Sequence, residues 1–181
     1  MDALGCNSYQ VNLLIQSPRK LPVEIKAVEG LTVASGIENT LTIQQISGRV
    51  TAENIAGAMI ITNQHGAIEV SNCTGTVNVS AQQGDITLKS CSAPIQAQCI
   101  GGRTVIEGPQ DDVTVLSSAG DVRIIALNKI GGEFNIQVNQ GHLSIVIAPN
   151  ADATLSLKAQ NGIVHQNSAI KIDGQRLSQH T

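Results

Sequence analysis

The sequence predicts an all-β protein: a single-domain parallel β-solenoid (β-helix) whose 18-residue coils are each built from two nine-residue strand-turn units. Three observations carry this prediction. A small or turn-forming residue returns every nine positions, at Gly30, Asn39, Gly48, Gly57, Gly66, Gly75, Gly84, Ala93, Gly102, Asp111 and Gly120. An alternating polar-apolar stretch follows almost every beat. The residue types of alternate units differ, so the true period is 18.

The beat marks the corners, because Gly, Asn and Asp tolerate the positive φ that a tight turn demands. Two residues later the position is apolar (Leu41, Val50, Met59, Ile68, Val77, Ile86 and onward), with Thr104 the one clear exception. Four residues later it is apolar again (Ile43, Ala52, Ile61, Val70, Val79, Leu88). A period of two is a strand with one buried face. Nine residues hold one short strand and one turn, so each unit must pair with the equivalent unit of the next coil. The 18-residue period shows in Ile55, Cys73 and Cys91, against Gln64 and Gln82 in the other half, and in the pair Asn54 and Asn72. These amide columns read as structural ladders. The expected solenoid has about seven to nine coils, is some 35–45 Å long at about 4.8 Å per coil, and is right-handed by the crossover rule.

Along the chain, residues 1–38 read as an enlarged N-terminal coil or cap and 39–126 as regular coils. Residues 127–165 read as irregular C-terminal coils and 166–181 as a polar tail. The segments "SPRKLPVEIKAVEGLTV" and "APNADATLSLKAQNGIV" share a Pro, a polar turn, an alternating strand and a Gly-apolar step. Atypical end coils protect open β edges.

Composition narrows function. Aromatics are 1% and charged residues 14% of the chain, with net charge −3 and no basic run. The core must therefore be layers of Val, Ile, Leu and Ala. Nucleic-acid binding has neither its basic footprint nor its stacking platforms here. No apolar stretch approaches the roughly 20 residues of a transmembrane segment. The start "MDALGCNSYQ" has no basic region followed by an apolar one, so as written it carries no secretory signal. "ALGC" looks like a lipoprotein box without the apolar segment that should precede it, and is set aside.

The chemistry-bearing residues do not gather. Cys6, Cys73, Cys91 and Cys99 lack metal-site spacing. Cys73 and Cys91, sharing an inward column with Ile55, are expected as stacked free thiols. The column Arg49, Ala67, Asp85, Arg103, Asp121 reads as an exposed charge ladder. Asp85 and Asp121 would lie roughly 9.6 Å apart, too far to share one metal. Calcium in the turns would need an acidic ligand in every unit, and those positions hold residues such as Asn78, Thr87 and Gln96. Asp111-Asp112 reads as a solvated corner, not a glycosidase pair. His65, His142, His165 and His180 share no column. No catalytic, cofactor-binding or metal site is expected.

What remains is a surface. One sheet should present Thr42, Ile60, Asn78, Gln96 and Thr114 as an outward column, flanked by Gln44, Thr62, Ser80, Gln98 and Leu116. These residues carry no charge, and Ile60 and Leu116 stand where a solvated strand would carry Lys or Glu. That face is the expected contact surface, for a second copy or for a protein or glycan partner.

The run "GRVTAENIAGAMIITNQHGAIEVSNCTGTVNVSAQQGDITLKS" together with "LSIVIAPNADATLSLKAQNGIV" resembles the adhesin family of bacterial β-strand-repeat proteins, catalogued as a domain of unknown function. It is similar also to autotransporter adhesin head domains. The resemblance spans roughly residues 11–165 and implies a solenoid at the cell surface or envelope, with no catalytic residues to carry over. Without a leader as written, a cytoplasmic place is the alternative. The expected function is a non-catalytic structural or adhesin-like module. The alternatives are a self-assembling scaffold of bactofilin type and, with less in its favour, a carbohydrate-active enzyme.

Overall fold

The computed structural model describes residues 14–126, 131–148, 152–161 and 164–166. Sixteen strands alternate between two sheets. The first eight are β1 (Val23–Ala27), β2 (Leu31–Ser35), β3 (Leu41–Ser47), β4 (Arg49–Glu53), β5 (Met59–His65), β6 (Ile68–Cys73), β7 (Val77–Gln83) and β8 (Ile86–Cys91). Then come β9 (Ile95–Gly101), β10 (Thr104–Glu107), β11 (Val113–Ala119), β12 (Val122–Ala126), β13 (Gly131–Gln140), β14 (Leu143–Ile147), β15 (Asp152–Asn161) and β16 (Val164–Gln166). Odd strands form one eight-stranded sheet in chain order and even strands the other, all paired in parallel. This is the parallel β-solenoid that the nine-residue beat demands. Eight strands at about 4.8 Å span roughly 34 Å between the outermost pair.

The register follows the sequence period. Val23 opposes Leu41, Leu41 opposes Met59 and Val77 opposes Ile95, each a step of 18. The step already holds at β1 and β2, so the coil before Asn39 is as long as those after it. After β11 and β12 the step becomes 21: Val113 opposes Phe134, and Phe134 opposes Leu155. The three extra residues fall both times between an even strand and the next odd one, since Val113 to Val122 and Phe134 to Leu143 remain nine apart. Phe134, the only Phe in the chain, is fully buried in the first of these longer coils.

Between the sheets runs one continuous core. The positions two and four after each beat bury almost completely: Leu41, Ile43, Val50, Ala52, Ile61, Ile68, Ile86 and Leu88. β-branched side chains stack coil on coil, which suits the flat pleated surfaces they line.

The beats do fall at the corners, but the two edges turn differently. Positive φ occurs at every second beat: Gly30, Gly48, Gly66, Gly84, Gly102 and Gly120. Gly57 and Gly75, at the opposite edge, are outside that region; there the constraint is closeness, because a Cβ on Gly57 would overlap the carbonyl oxygen of Asn39. A second positive-φ column stands where the sequence suggested amide ladders: Gly36, Asn54, Asn72, Ser90 and Gly108, with φ of 52–70°. Asn54 and Asn72 are exposed, so their shared feature is a left-handed turn that Asn tolerates better than most residues.

A candidate contact face on the odd-strand sheet

The five strands β3, β5, β7, β9 and β11 lie side by side, and their register brings the expected residues together. Thr42, Ile60, Asn78, Gln96 and Thr114 are successive Cα partners in one column. Gln44, Thr62, Ser80, Gln98 and Leu116 form the next. A third outward column holds Ile46, Gln64, Gln82, Ile100 and Ser118. All of them alternate with buried residues along their strands, the period-two geometry that sends one set in and the other out.

The face carries no Asp, Glu, Lys or Arg. Every such residue between 39 and 126 sits elsewhere: Arg49, Glu53, Glu69, Lys89, Glu107 and Arg123 on the even strands, and Asp85, Arg103, Asp111, Asp112 and Asp121 at corners. β13 continues the uncharged columns with Asn135, Gln137 and Asn139. Charge returns toward the ends, with Glu133 at the start of β13, Glu24 and Lys26 on β1 and Lys158 on β15. Six strands and three outward positions each give a face of roughly 24 by 14 Å.

Chemically the face is a lattice of amides and hydroxyls, able to donate and accept without a titrating group. The Asn78 side-chain Nδ2 donates to Gln96 Oε1 at 3.2 Å, one rung of an amide ladder. Thr42 and Thr114 are half-buried; Ile60 and Leu116 are 47% and 42% exposed. Ile46 and Ile100 belong with them, at 45% and 49% exposed. Attention to the two columns nearest the beat missed these two, although the same alternation reaches them. Ile100 and Leu116 are diagonal neighbours on adjacent strands, about 7–8 Å apart, so this part of the face is the more apolar.

Away from the face, potential catalytic groups are engaged in holding corners. The expected charge ladder does not form through Arg103. Asp85 Oδ1 accepts the backbone N–H of Arg103 at 2.8 Å, and Asp121 Oδ1 accepts that of His142 at 2.9 Å. The corner leaves a backbone donor without a ladder partner, and a carboxylate one coil away satisfies it better than a solvated guanidinium could use it. Asp112 likewise accepts from Glu133 N, and Asp111 from Asp112 N. The side-chain ion pairs of the even-strand sheet are Arg49–Glu69 and Lys89–Glu107, at 3.8 and 3.4 Å and solvent-exposed.

Cys73, Cys91 and Cys99 are buried and unbridged. Cys73 and Cys91 are direct partners across adjacent strands, as their shared column predicts. Cys73 Sγ donates to Ser71 O at 3.4 Å and Cys91 Sγ to Lys89 O at 3.7 Å. The neighbouring Cys73 thiol, together with burial, pushes the Cys91 thiol far up. Burial also pushes up Cys99. Cys6 lies outside the described residues.

A further buried column went unread in the sequence. Gln45 and Asn63 occupy inward positions of the odd sheet and are 2% and 0% exposed. Gln45 Nε2 donates to Gly30 O at 2.8 Å and Asn63 Nδ2 to Gly48 O at 2.8 Å; Cys99 Sγ approaches Gly84 O at 3.5 Å. Each serves the carbonyl of the positive-φ glycine 15 residues before it. The recurring offset was in the sequence, but only the corner geometry shows that those carbonyls need a donor.

Among the described residues, no group of three or more His, Cys, Asp and Glu is placed to hold a metal, and no helix is long and apolar enough to cross a membrane. Comparison with descriptions of protein families, with curated proteins and with solved structures finds no match.

Proposed function

We propose that this chain is a non-catalytic contact module, structural or adhesive, whose working surface is the uncharged face of the odd-strand sheet. The observation that carries the reading is the segregation of charge: five adjacent strands, β3 to β11, expose no Asp, Glu, Lys or Arg, while between residues 39 and 126 the opposite sheet and the corners hold them all. Drying a charge costs several kcal/mol unless it is paired, and Lys, Glu and Asp are depleted from interface cores for that reason. A surface built to stay wet has no need of such exclusion. The partner that fits is flat and weakly charged: a protein surface, a glycan or a second copy. The resemblance to bacterial adhesin repeats favours a place at the cell envelope. A carbohydrate-active enzyme finds less support, since the corner carboxylates Asp111 and Asp112 are bonded to backbone N–H groups.

The test is the double substitution Ile60→Lys, Leu116→Lys. Both side chains point outward, so the thermal transition should stay within a few degrees while surface adhesion or self-association through this face is lost. Adhesion and oligomeric state that both survive the two lysines would overturn the reading.

A further inference from the structure

The inward column that holds Gln45 and Asn63 is interrupted one coil later. Its successive Cα partners are Gln45, Asn63, Ala81, Cys99 and Ser117. Gln45, Asn63 and Cys99 each turn a side-chain donor onto the carbonyl of Gly30, Gly48 or Gly84, 15 residues before. By the same register Ala81 stands to Gly66 as Asn63 stands to Gly48, and its buried methyl group has nothing to donate. The backbone does not make up the loss. Arg49 N reaches Gly30 O at 3.0 Å, whereas no such bond joins Asp85 N to Gly66 O.

The neighbouring coil supplies a second unmet acceptor. Asn63 is fully buried, its Nδ2 serves Gly48 O, and its Oδ1 has no partner among the described residues. Gln45 shows how such an oxygen is served across the core, since its Oε1 accepts from Thr32 Oγ1 at 2.6 Å. The register puts Val50 where Asn63 would need that threonine, and valine carries no donor. Asn63 Nδ2 is turned to the coil before, and the two ends of a planar amide point apart. Its Oδ1 is therefore directed away from that coil, to the side of Ala81.

We propose that the space beside the Ala81 methyl is a binding site for one internal water, which donates one proton to Gly66 O and the other to Asn63 Oδ1. Two acceptors without a donor are what a water serves, because it brings two protons to a polar site. Alanine in place of an asparagine in this column frees roughly 30 Å³, about one water's share of volume. The coils do not close over that space, since their ladders hold them about 4.8 Å apart. Left dry, both oxygens would bear the penalty of unpaired buried groups. The site lies on the inner side of β7, between the outward residues Ser80 and Gln82, and does not depend on what the uncharged face binds.

Water–protein Overhauser spectra of the isotope-labelled full chain test it. A cross-peak between water and the Ala81 methyl protons is expected, with the sign of a water that tumbles with the protein. Two variants add an independent reading. Ala81→Asn puts an Nδ2 donor where the water stood, and Ala81→Val fills the same space with methyl groups. Valine is the better strand residue, yet the folding constant of Ala81→Asn should exceed that of Ala81→Val at least about fivefold, because only the amide meets Gly66 O and Asn63 Oδ1. Urea unfolding reads that ratio. An Ala81 methyl without the water cross-peak overturns the proposal. So does an Ala81→Val protein as stable as Ala81→Asn or more so, which would make the space dry.

Discussion

At the scale of single residues, the core contains two polar atoms without partners among the described residues, Thr104 Oγ1 and Asn63 Oδ1. Thr104 stands in the column of Val50, Ile68, Ile86 and Val122 and is fully buried. An unsatisfied buried hydroxyl costs about 1–3 kcal/mol, and valine has nearly its shape. Thr104→Val should therefore stabilise the fold by about 1 kcal/mol or more, read as a raised midpoint in urea. Asn63 differs, because its Nδ2 serves Gly48 O. Asn63→Leu should cost about 1–3 kcal/mol by orphaning that carbonyl. The thiols allow a chemical check. Cys73, Cys91 and Cys99 are at most 1% exposed; the adjacent Cys73 thiol and burial hold Cys91 protonated, and burial does the same for Cys99. All three should resist a thiol reagent at pH 8 in the native protein and react on denaturation without reductant. Loss of two thiols from the denatured count would reveal a bridge instead.

At the scale of the strand and its corner, the two edges of the solenoid obey different rules. Gly66 has φ of 127°, and a Cβ there would overlap the carbonyl oxygen of Gly48 in the coil before. Gly66→Ala therefore meets conformational strain and a backbone clash together, and should destabilise by about 2–4 kcal/mol. Asn72, at φ 54° and exposed, meets only the conformational term. Asn72→Gly should be neutral or mildly stabilising and Asn72→Val unfavourable by about 1–2 kcal/mol, because a β-branched side chain resists the left-handed region. Thermal unfolding of the three variants ranks them, and a Gly66→Ala protein as stable as the parent would contradict the close approach. Between corners, the strands need little beyond alternation. Asp85 and Asp121 add a carboxylate where the ladder of backbone bonds leaves an N–H over.

At the scale of the whole molecule, each interior coil touches only the coil before and the coil after, at steps of 18 or 21 residues. Stability then accumulates coil by coil, and the ends lack one neighbour. Amide exchange should be slowest in β5 to β10 and faster in β1 and β2, which have a partner on one side only among the described residues; uniform protection from β1 to β10 would contradict a stability that accumulates coil by coil.

The division between what sequence and structure each decide follows from the kind of interaction involved. Period-two alternation on a nine-residue beat already determines strands, corners, the 18-residue coil and which side chains point inward, because each rests on residues near in sequence or in fixed register. The outward column from Thr42 to Thr114 follows by the same arithmetic, and the register places it as expected. Backbone conformation at the corners does not follow. Gly57 and Gly66 are the same residue on the same beat, yet one answers a close approach and the other a positive φ as well, because the two edges turn differently in space. Nor does the use of Gln45 and Asn63 follow, since their partners are carbonyls exposed only once a coil has closed. The 21-residue coils and the charge-free expanse of one sheet likewise emerge only when distant residues are laid side by side. Periodicity is a local property of the chain; satisfaction of buried polar groups and the chemistry of a face belong to the stack.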